Sequence, residues 1–314
     1  MKVLVAGATG AMGKQLLPRL VANGHEVVGI TRSEAKLAAI RSLGARGVVA
    51  DVLDPDDVAR VVGEAEPDVI IHQLTALSGD FDLRHFDRFF AMTNRLRTEA
   101  LDHFLAAGRA TGVKRFIAQS YAGWPSARSG GRVTSEDDPL DPQPSPAMRE
   151  SHDAIRYLER AVTSANWVEG IVLRYGGFYG PGTGMTAGGE QLQLIRDRKY
   201  PVVGDGGGVW SFVHIADAAE ATVAAVTRGR PGIYNIVDDE PAPVAEWLPA
   251  AASAAGARPP RHVPRWLGRL AAGEAAVFMM TEVRGASNEK AKRELGWRPR
   301  HATWREGFAE VAAA

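Results

Sequence analysis

The sequence predicts an α/β fold in which a doubly wound parallel sheet is followed by a smaller C-terminal lobe. Short β-branched runs alternate with amphipathic helical stretches through the first half of the chain, and a glycine-rich turn directly follows the first run. After residue 175 this alternation gives way to loops rich in Gly and Pro. We therefore expect a sheet domain over 1–175, which 209–237 rejoins, and a smaller lobe formed by 176–208 and 238–314.

The individual elements follow from the same patterns. The expected strands, in chain order, are 2–6, 26–31, 47–50, 68–72, 115–119 and 169–174. The expected helices are 11–23, 55–64, 86–111 and 146–164. Ser145 and Pro146 suit the N-cap and the first position of the last helix. Later, "GVWSFVHIADAAEATVAAV" predicts a strand and a helix, "GIYNIV" a strand, and the Ala-rich tract 250–257 a helix.

Composition narrows the class of protein. The 314 residues are 45% hydrophobic, enough to bury a large core. Lys plus Arg and Asp plus Glu both number 37, so net charge gives no reason to expect nucleic acid or an acidic membrane surface as partner. The chain has no cysteine, which excludes disulfides, thiolate nucleophiles and Cys-based metal sites, and we expect no bound metal.

The N-terminal apolar run enters a Gly-rich turn before it reaches the length of a signal peptide. No stretch approaches the ~18 uninterrupted apolar residues of a membrane span. We expect a cytoplasmic protein, monomeric or homodimeric, whose partner is a small hydrophobic molecule.

The turn "GATGAMG" lies directly between the first strand and the first helix. In this position Gly7 permits the tight turn, Gly10 lets the backbone approach a pyrophosphate, and Gly13 lets helix and strand pack closely. We expect Thr9 and Met12 of the same turn to contact the cofactor. A purely structural turn is the alternative. The pattern predicts a Rossmann dinucleotide-binding domain over 1–175, with the smaller lobe binding substrate.

The ends of the next two strands indicate which dinucleotide binds. After the second strand the chain offers Arg32, Ser33 and Lys36 and no acidic residue before Glu34. An Arg at this place accommodates a 2′-phosphate, so NADP(H) is favoured over NAD, unless Arg32 is only a solvated surface charge. After the third strand, Asp51 and Val52 suit the adenine, although Asp51 could equally cap a helix or turn.

Six segments in order resemble the extended short-chain dehydrogenase/reductases, the NAD-dependent epimerase/dehydratase group. They are "GATGAMG", "IIHQLTAL", "MTNRLRTEALDHFLAAGRATGVKRFIAQS", "LRYGGFYGPG", "FVHIADAAEA" and "NEKAKRELGWRP". The second is similar to the family's fourth-strand motif and adds Leu74 and Thr75 to the expected cofactor contacts. The third ends at Ser120, where the family's active-site Ser is expected.

The chain departs from this family at its acid/base pair, a Tyr and a Lys four residues apart. Glu159 matches the Glu that usually follows the Lys, and counting back places Ile155 at the Lys position and Ser151 at the Tyr position. Without the pair, oxidation of an alcohol lacks its base, whereas reduction of a ketone needs only an electrophilic contact and a late proton. We therefore expect an NADPH-dependent ketoreductase that acts largely by positioning its substrate.

Three residues could supply the missing catalytic contacts. Ser120 could hydrogen-bond the carbonyl, and Tyr121 is the nearest phenol, although adjacent strand side chains diverge. His152 titrates near neutrality, although it lies one residue off the expected face and a surface or interlobe position is the alternative. Tyr157 cannot replace the Tyr without turning to another face. Water, or a hydroxyl of the substrate itself, is the remaining proton source.

The part of the sequence expected to bind substrate contains several aromatic residues. Sugar-nucleotide members carry an Arg shortly before "FVHI", whereas this chain has Trp210 and Ser211 there. Some ketoreductases of aromatic polyketides such as angucyclinones belong to the family and lack the same pair, so the resemblance favours an aromatic polyketide-type ketone. Apolar candidates for the pocket, each equally suited to core packing, are Trp124, Trp210, Trp247, Trp266 and "AAVFMM" (275–280). A sugar-nucleotide epimerase or dehydratase and a non-catalytic NADP-sensing protein remain as alternatives.

Overall fold

The computed structural model describes residues 1–77 and 83–313. Its centre is a seven-stranded parallel sheet in the order β12-β7-β5-β4-β1-β2-β3. The strands of the structure are β1 Lys2–Ala6, β2 Glu26–Thr31, β3 Arg46–Val49, β4 Val69–His72, β5 Arg115–Tyr121, β6 Val133–Thr134, β7 Glu169–Tyr175, β8 Gly177–Tyr179, β9 Val202–Val203, β10 Val209–Trp210, β11 Phe212–His214, β12 Gly232–Ile236, β13 Ala242–Pro243, β14 His262–Val263 and β15 Gly285–Ala286.

Helices cover both faces of this sheet. They are α1 Ala11–Ala22, α2 Leu37–Ser42, α3 Pro55–Ala65, α4 Phe86–Arg95, α5 Leu101–Thr111, α6 Arg149–Thr163, α7 Glu190–Arg196, α8 Ile215–Thr227, α9 Val244–Ala254, α10 Arg265–Thr281, α11 Glu289–Glu294 and α12 Trp304–Ala313. One core layer packs α1 and α8 against the sheet, and the other packs α3, α5 and α6 against its opposite face. The doubly wound α/β prediction is confirmed.

The central strands read as nearly continuous apolar runs because both faces of the sheet are covered. Val69, Ile70 and Ile71 of β4 are fully buried, as are Phe116, Ile117 and Ala118 of β5. The predicted strand bounds differ from the observed ones by at most two residues. β12, from "GIYNIV", pairs in parallel with β7 at the edge of the sheet, so this later segment returns to the first half of the chain.

The predicted helix 86–111 is one continuous rod with a π-helical insert over Leu96–Ala100, between α4 and α5. The predicted helix 146–164 begins with a 3₁₀ turn at Pro146–Met148 before α6. The expectation for Ser145 was wrong in part, because it occupies the N-cap position without forming a side-chain cap. The Asp87 carboxylate of α4 instead accepts hydrogen bonds from the Glu150 and Ser151 amides at 3.0 and 2.9 Å.

Short strand pairs and α7, α9, α10 and α12 form the smaller lobe around its own apolar cluster. Trp247, Phe212, Trp304 and Phe308 are buried in this cluster. The division into binding domains at the predicted boundaries stays a prediction. No helix in the described part of the chain combines the length and the apolar character that crossing a bilayer requires.

Candidate active site

A large cleft lies at the carboxyl ends of the sheet strands, where it meets the smaller lobe. Its volume is about 1540 Å³, enough for a dinucleotide and a second ligand together. Of the residues predicted to bind cofactor, those that line this cleft are Gly7, Thr9, Gly10, Met12, Arg32, Ser33, Lys36, Asp51, Val52, Leu74 and Thr75. The structure therefore brings together residues that lie up to 68 positions apart in the chain.

The glycine turn is shaped so that side chains would obstruct it. Gly7 has φ +95°, and a Cβ there would lie 2.4 Å from the Gln73 carbonyl oxygen. The Gly10 amide donates to the Gly7 carbonyl at 3.1 Å and starts α1, whose first turn holds no acidic residue. The exposed amides of this helix start suit a pyrophosphate. Gly13 lies off the cleft, where a Cβ would come within 2.4 Å of the Ala8 carbonyl oxygen, so it serves helix packing.

The end of β2 is basic where it meets the cleft. Arg32 and Lys36 are exposed and line it, with Ser33 between them, while Glu34 does not line it. Two cations and a hydroxyl can donate hydrogen bonds to an anionic group of a ligand bound here. After β3, the Asp51 carboxylate accepts a hydrogen bond from the Leu53 amide at 3.0 Å, and Val52 is buried beside it.

The ends of β4 and β5 form the other half of the cradle. In the dinucleotide-binding arrangement the adenosine lies over β2 and β3, so the nicotinamide end falls here. Gln73 lines the cleft and donates from Nε2 to the Tyr175 hydroxyl at 2.9 Å, while its buried Oε1 has no hydrogen-bond partner among the described residues. A buried amide oxygen without a partner fits a ligand that donates to it.

The structure reverses the expected roles of Ser120 and Tyr121. Ser120 is fully buried on the face away from the cleft, where its hydroxyl donates to Glu159 Oε1 at 2.8 Å. Because the Ser120 hydroxyl does not face the cleft, the expectation that Ser120 orients the substrate is wrong. Tyr121 lines the cleft, and burial raises the pKa of its phenol to about 12, so the hydroxyl stays protonated and can donate a hydrogen bond at neutral pH.

Glu159, which matched the family pattern, is held in the same buried network as Ser120. The Arg174 guanidinium donates two hydrogen bonds to the Glu159 carboxylate, from Nε to Oε1 at 2.7 Å and from Nη2 to Oε2 at 2.6 Å. The network connects α6, β5 and β7 behind the cleft. Its charge is balanced internally, so it holds the strands in place and does not act as a base toward the substrate.

Ser151 and Ile155, at the expected Tyr and Lys positions, contribute no acid or base. The Ser151 hydroxyl donates to Asp87 Oδ1 at 2.6 Å and accepts from Asn94 Nδ2 at 3.1 Å. Ile155 is fully buried in an apolar cluster with Phe86, Phe90 and Trp124. Neither side chain can therefore take the part of the Tyr or the Lys at these two positions.

His152 does not reach the cleft. It is buried behind Trp124, with ring centroids 6.4 Å apart, and its Nε2 lies 2.9 Å from the Pro125 carbonyl oxygen. Burial lowers its pKa, so the ring is neutral at neutral pH. The expectation that His152 donates a proton is therefore wrong. Tyr157, as expected, faces elsewhere, and its hydroxyl donates to the Asp102 carboxylate at 2.7 Å.

Aromatic and apolar side chains line the same cleft as the cofactor cradle. The residues of this aromatic wall are Phe86, Phe90, Trp124, Trp210 and Met279. Trp210 is oriented by a hydrogen bond from Nε1 to the Met279 carbonyl at 2.8 Å. Two of the predicted pocket residues lie elsewhere, since Trp247 is in the core of the smaller lobe and Trp266 is 66% exposed. Within 275–280, Ala276, Met279 and Met280 line the cleft.

Arg97 is a cleft residue that the sequence analysis missed. It lies in the π-helical insert, is 5% exposed, and its Nη1 has no partner among the described residues. The helical period of the sequence does place Arg97 on the buried face of the helix. Phe86, Phe90 and Thr93 are buried at helical spacing, and Arg97 is the next position of that series. A cation on the apolar stripe of a helix is unusual enough to indicate a ligand.

A cluster of His214, Asp217 and His301 places possible ligand atoms within 4.8 Å of one another. His301 Nδ1 contacts Asp217 Oδ2 at 2.8 Å, and the two imidazoles stack with centroids 3.8 Å apart. However, His214 Nδ1 accepts the Ala216 amide hydrogen at 3.2 Å, which leaves the proton of the neutral ring on Nε2. These contacts favour a structural role at the start of α8.

The family model for the NAD dependent epimerase/dehydratase family matches residues 3–237. A Streptomyces protein named 3-diazoavenalumate denitrifying reductase is 43% identical over 98% of this chain and 99% of its own length. A 4-hydroxy-2-methyl-3-oxo-4-farnesyl-3,4-dihydroquinoline-1-oxide ketoreductase of Stigmatella aurantiaca is 26% identical over 100% of this chain and 96% of its own.

Among solved structures, the UDP-glucose 4-epimerase of Thermus thermophilus in complex with NAD superposes with a TM-score of 0.75. It is 25% identical, and the match covers 100% of this chain and 98% of that one. The resemblance that the sequence motifs indicated is thereby confirmed. The chain belongs to the NAD-dependent epimerase/dehydratase family and is an oxidoreductase of that family.

Proposed function

We propose that the chain reduces a flat aromatic electrophile with hydride from NADPH, and that an arene diazonium is its preferred acceptor. The observation that carries this proposal is a single cleft lined by both the dinucleotide cradle and the aromatic wall, while Ser151 and Ile155 supply no acid/base pair. Such a site can hold a hydride donor and an aromatic ring together, but it lacks the pair that the family uses for proton transfer.

An arene diazonium is the acceptor whose reduction needs the least proton transfer from side chains of the site. NADPH bound in the cradle would supply a hydride to the terminal nitrogen of the diazonium, which gives an aryl diazene. The diazene would then release its N–H proton and N₂, and the ring carbon would take up a proton from water. The sum, ArN₂⁺ plus NADPH to ArH, N₂ and NADP⁺, consumes no net proton. The 43% identical relative, named a denitrifying reductase of a diazo compound, supports this choice.

The residues of the chain then act by binding and orientation. The turn at Gly7 and Gly10 would hold the pyrophosphate, and Gln73 would accept a hydrogen bond near the nicotinamide end. The aromatic wall would hold the ring and exclude water. Arg32 and Lys36 support NADPH over NADH, because they offer charge-assisted hydrogen bonds to a 2′-phosphate.

A ketone is the second candidate acceptor, and one observation favours it. Tyr121 faces the cleft with a protonated phenol, which can donate a hydrogen bond to a carbonyl and later a proton to the alkoxide. The 26% identical relative named as a ketoreductase supports this reading too. A hydrophobic aromatic ketone of the polyketide type would suit the same wall.

The proposal is tested by NADPH consumption with four acceptors: an arene diazonium, an aromatic polyketide ketone, a simple aldehyde and UDP-glucose. We expect turnover with the diazonium, slower turnover with the ketone and none with the nucleotide sugar. The matched control is Gly7→Val, since a Cβ at Gly7 would strike the Gln73 carbonyl oxygen and obstruct the cofactor turn. It also corrects for direct reaction between NADPH and diazonium.

Two outcomes would overturn the proposal. Tight NADPH binding without turnover of any acceptor would make the chain a cofactor-binding regulatory protein. Thermal stabilisation and conversion of UDP-glucose would instead place it among the sugar-nucleotide epimerases, despite its missing base.

A further inference from the structure

Among the described residues, Arg97 is a buried cation without a balancing charge. Its side chain is 5% exposed, and burial lowers the pKa of its guanidinium to about 10. The negative charge of Glu159 stabilises the Arg97 guanidinium from a distance, but both oxygens of Glu159 are already bound by Arg174. His72, on the other side, is neutral, because burial lowers its pKa to about 4. A buried unpaired charge destabilises a fold, so its presence needs another reason.

The position of Arg97 relates it to the reaction. The Leu96 carbonyl, freed by the π-helical insert, lies 3.1 Å from His72 Nε2 at the end of β4, which fixes this part of the helix beside the nicotinamide end. The Arg97 guanidinium carbon lies 5.9 Å from the centre of the Phe90 ring, part of the aromatic wall. This cation therefore lines the same cleft as the cofactor cradle and the aromatic wall.

The side chains near Arg97 offer its Nη1 no hydrogen-bond acceptor among the described residues. Arg97 approaches the Phe90 ring, and Phe90 lies in the apolar cluster that also contains Ile155 of α6. An Ile at this place on α6 supplies neither a second cation nor an acceptor. Nη1 thus has its hydrogen-bonding capacity available for a ligand.

We infer that Arg97 binds an ionised ring hydroxyl of the aromatic acceptor, which makes the site selective for phenolates. A ring held against Phe90 and Trp124 can present its own oxygen at this depth, where a buried guanidinium binds an anion far better than a neutral ether. The inference rests on the proposed aromatic reductase site and adds a substrate class to it. In a hydroxyarene diazonium, the same contact would orient the ring for hydride transfer.

The test uses 4-nitrophenol, which absorbs visible light strongly only as its anion and is not a hydride acceptor in the proposed reaction. Its ionisation is titrated by absorbance in the presence of the holoprotein with NADP⁺. In the wild type we expect the pKa of the bound phenol to fall by about one unit or more, a tenfold gain in its ionisation constant. 4-Nitroanisole, which cannot ionise, should bind at least about tenfold more weakly.

Three variants separate a ligand contact from a structural role. Arg97→Met should abolish the shift in the nitrophenol pKa and bind both probes alike, while Arg97→Lys should keep part of the shift. Arg109→Met, which removes an exposed Arg from α5 of the same rod, should behave like the wild type. Arg97→Met without ligand should unfold at the same or a higher temperature, since it removes an unpaired buried charge.

Several results would overturn the inference. They are an unchanged nitrophenol pKa in the wild type, an equal shift in Arg97→Met, a clearly lower melting temperature of that variant, or weaker NADPH binding in it without an effect on nitrophenol. Because the probe is not turned over, these results leave the proposed reductase activity standing. Conversely, absence of diazonium reduction alongside the expected nitrophenol shift would sink the activity and keep the phenolate site.

Discussion

Ser120 and Tyr121 illustrate what a sequence can say about a single residue. Alternation along a strand means that one of two adjacent side chains faces the ligand, and this could be predicted. Which one does could not, because β5 is buried on both faces and its sequence carries no polar and apolar alternation to set the phase. The structure decides it, because Ser120 binds Glu159 behind the cleft and Tyr121 lines the cleft.

The Tyr121→Phe variant separates the two candidate acceptors. Reduction of an aromatic ketone should lose about tenfold or more in kcat/KM, because the carbonyl oxygen loses its hydrogen-bond donor. Reduction of an arene diazonium should change by less than about twofold, since it develops no oxyanion that needs this phenol. Steady-state kinetics with both acceptors give the comparison. Equal losses with both would mean that Tyr121 positions the ring rather than the carbonyl.

Arg32 makes the expected preference for NADPH testable. Arg32→Ser should raise the Kd of NADPH by about 10- to 100-fold, the range for loss of a charged hydrogen bond, and leave NADH binding nearly unchanged. Fluorescence titration of the reduced cofactors measures both constants. Arg41→Ser, which removes an exposed Arg from the adjacent α2, is the matched control. A parallel loss of both cofactors would refute a specific 2′-phosphate contact.

At the scale of elements, α6 carries the feature that most distinguishes this chain. The helix was predictable from its period, but the contribution of α4 to its start was not, since Asp87 and Ser151 lie 64 residues apart. Asp87 binds two amides of the first turn and the Ser151 hydroxyl. Ser151 is thus a participant in helix capping, which explains why a hydroxyl at the expected Tyr position does not act on substrate.

Removing this cap should weaken the fold without changing the chemistry. Asp87→Ala should lower the free energy of unfolding by about 0.5–2 kcal/mol, the usual range for loss of an N-cap. Urea unfolding measures the loss, and Asp87→Asn, which retains one acceptor oxygen, should lose less. An unchanged urea midpoint for Asp87→Ala would show that the 3₁₀ turn before α6 suffices to start the helix.

The π-helical insert marks the limit of pattern reading within an element. Hydrophobic period predicted the rod over 86–111 with its correct ends, but a single inserted residue shifts the helical phase without leaving a composition signal. The insert frees the Leu96 carbonyl for His72 and carries Arg97 on the buried stripe. The helical period places Arg97 on the buried stripe, but its burial in the structure is what identifies it as a cleft residue.

At the scale of the whole molecule, the sheet was predictable and the smaller lobe largely was not. Parallel strands and crossover helices repeat a pattern with known handedness, whereas the lobe combines short two-stranded sheets, helices and loops in no repeating order. Trp247 and Trp266 lie in similar apolar surroundings in sequence, yet one is buried and the other exposed. Such differences depend on contacts between distant segments and leave no local signal.

Asp238, at the junction of sheet and smaller lobe, gives the fold a pH dependence. Burial first, and the nearby Glu240 and Asp239 charges next, raise the pKa of Asp238 from 3.8 to about 8. The folded state therefore binds this proton more tightly than the unfolded state does. Its contribution to stability is complete below about 4 and declines as the pH rises toward about 8.

Urea unfolding of wild type and Asp238→Asn across this pH range tests the assignment. The difference in unfolding free energy between the two proteins should shift progressively against the wild type as pH rises, because the Asn side chain stays neutral. The buried histidines act in both proteins and cancel in the difference. A difference that does not vary with pH would mean that Asp238 is ionised in the fold throughout.

Hydride transfer from NADPH to an aromatic acceptor, in a site without the Tyr and Lys pair, can be decided by one measurement. Arene, N₂ and oxidised cofactor are quantified together from an arene diazonium, using NADPH and NADPH deuterated in turn at each C4 position. We expect the three products in equal amounts and a single-turnover reaction that is slowed by deuterium at one C4 position only, because that C–H bond breaks when the diazonium is reduced. Arene formed without matching cofactor oxidation, no isotope effect at either position, or a rate no higher than without protein would refute hydride transfer in this site.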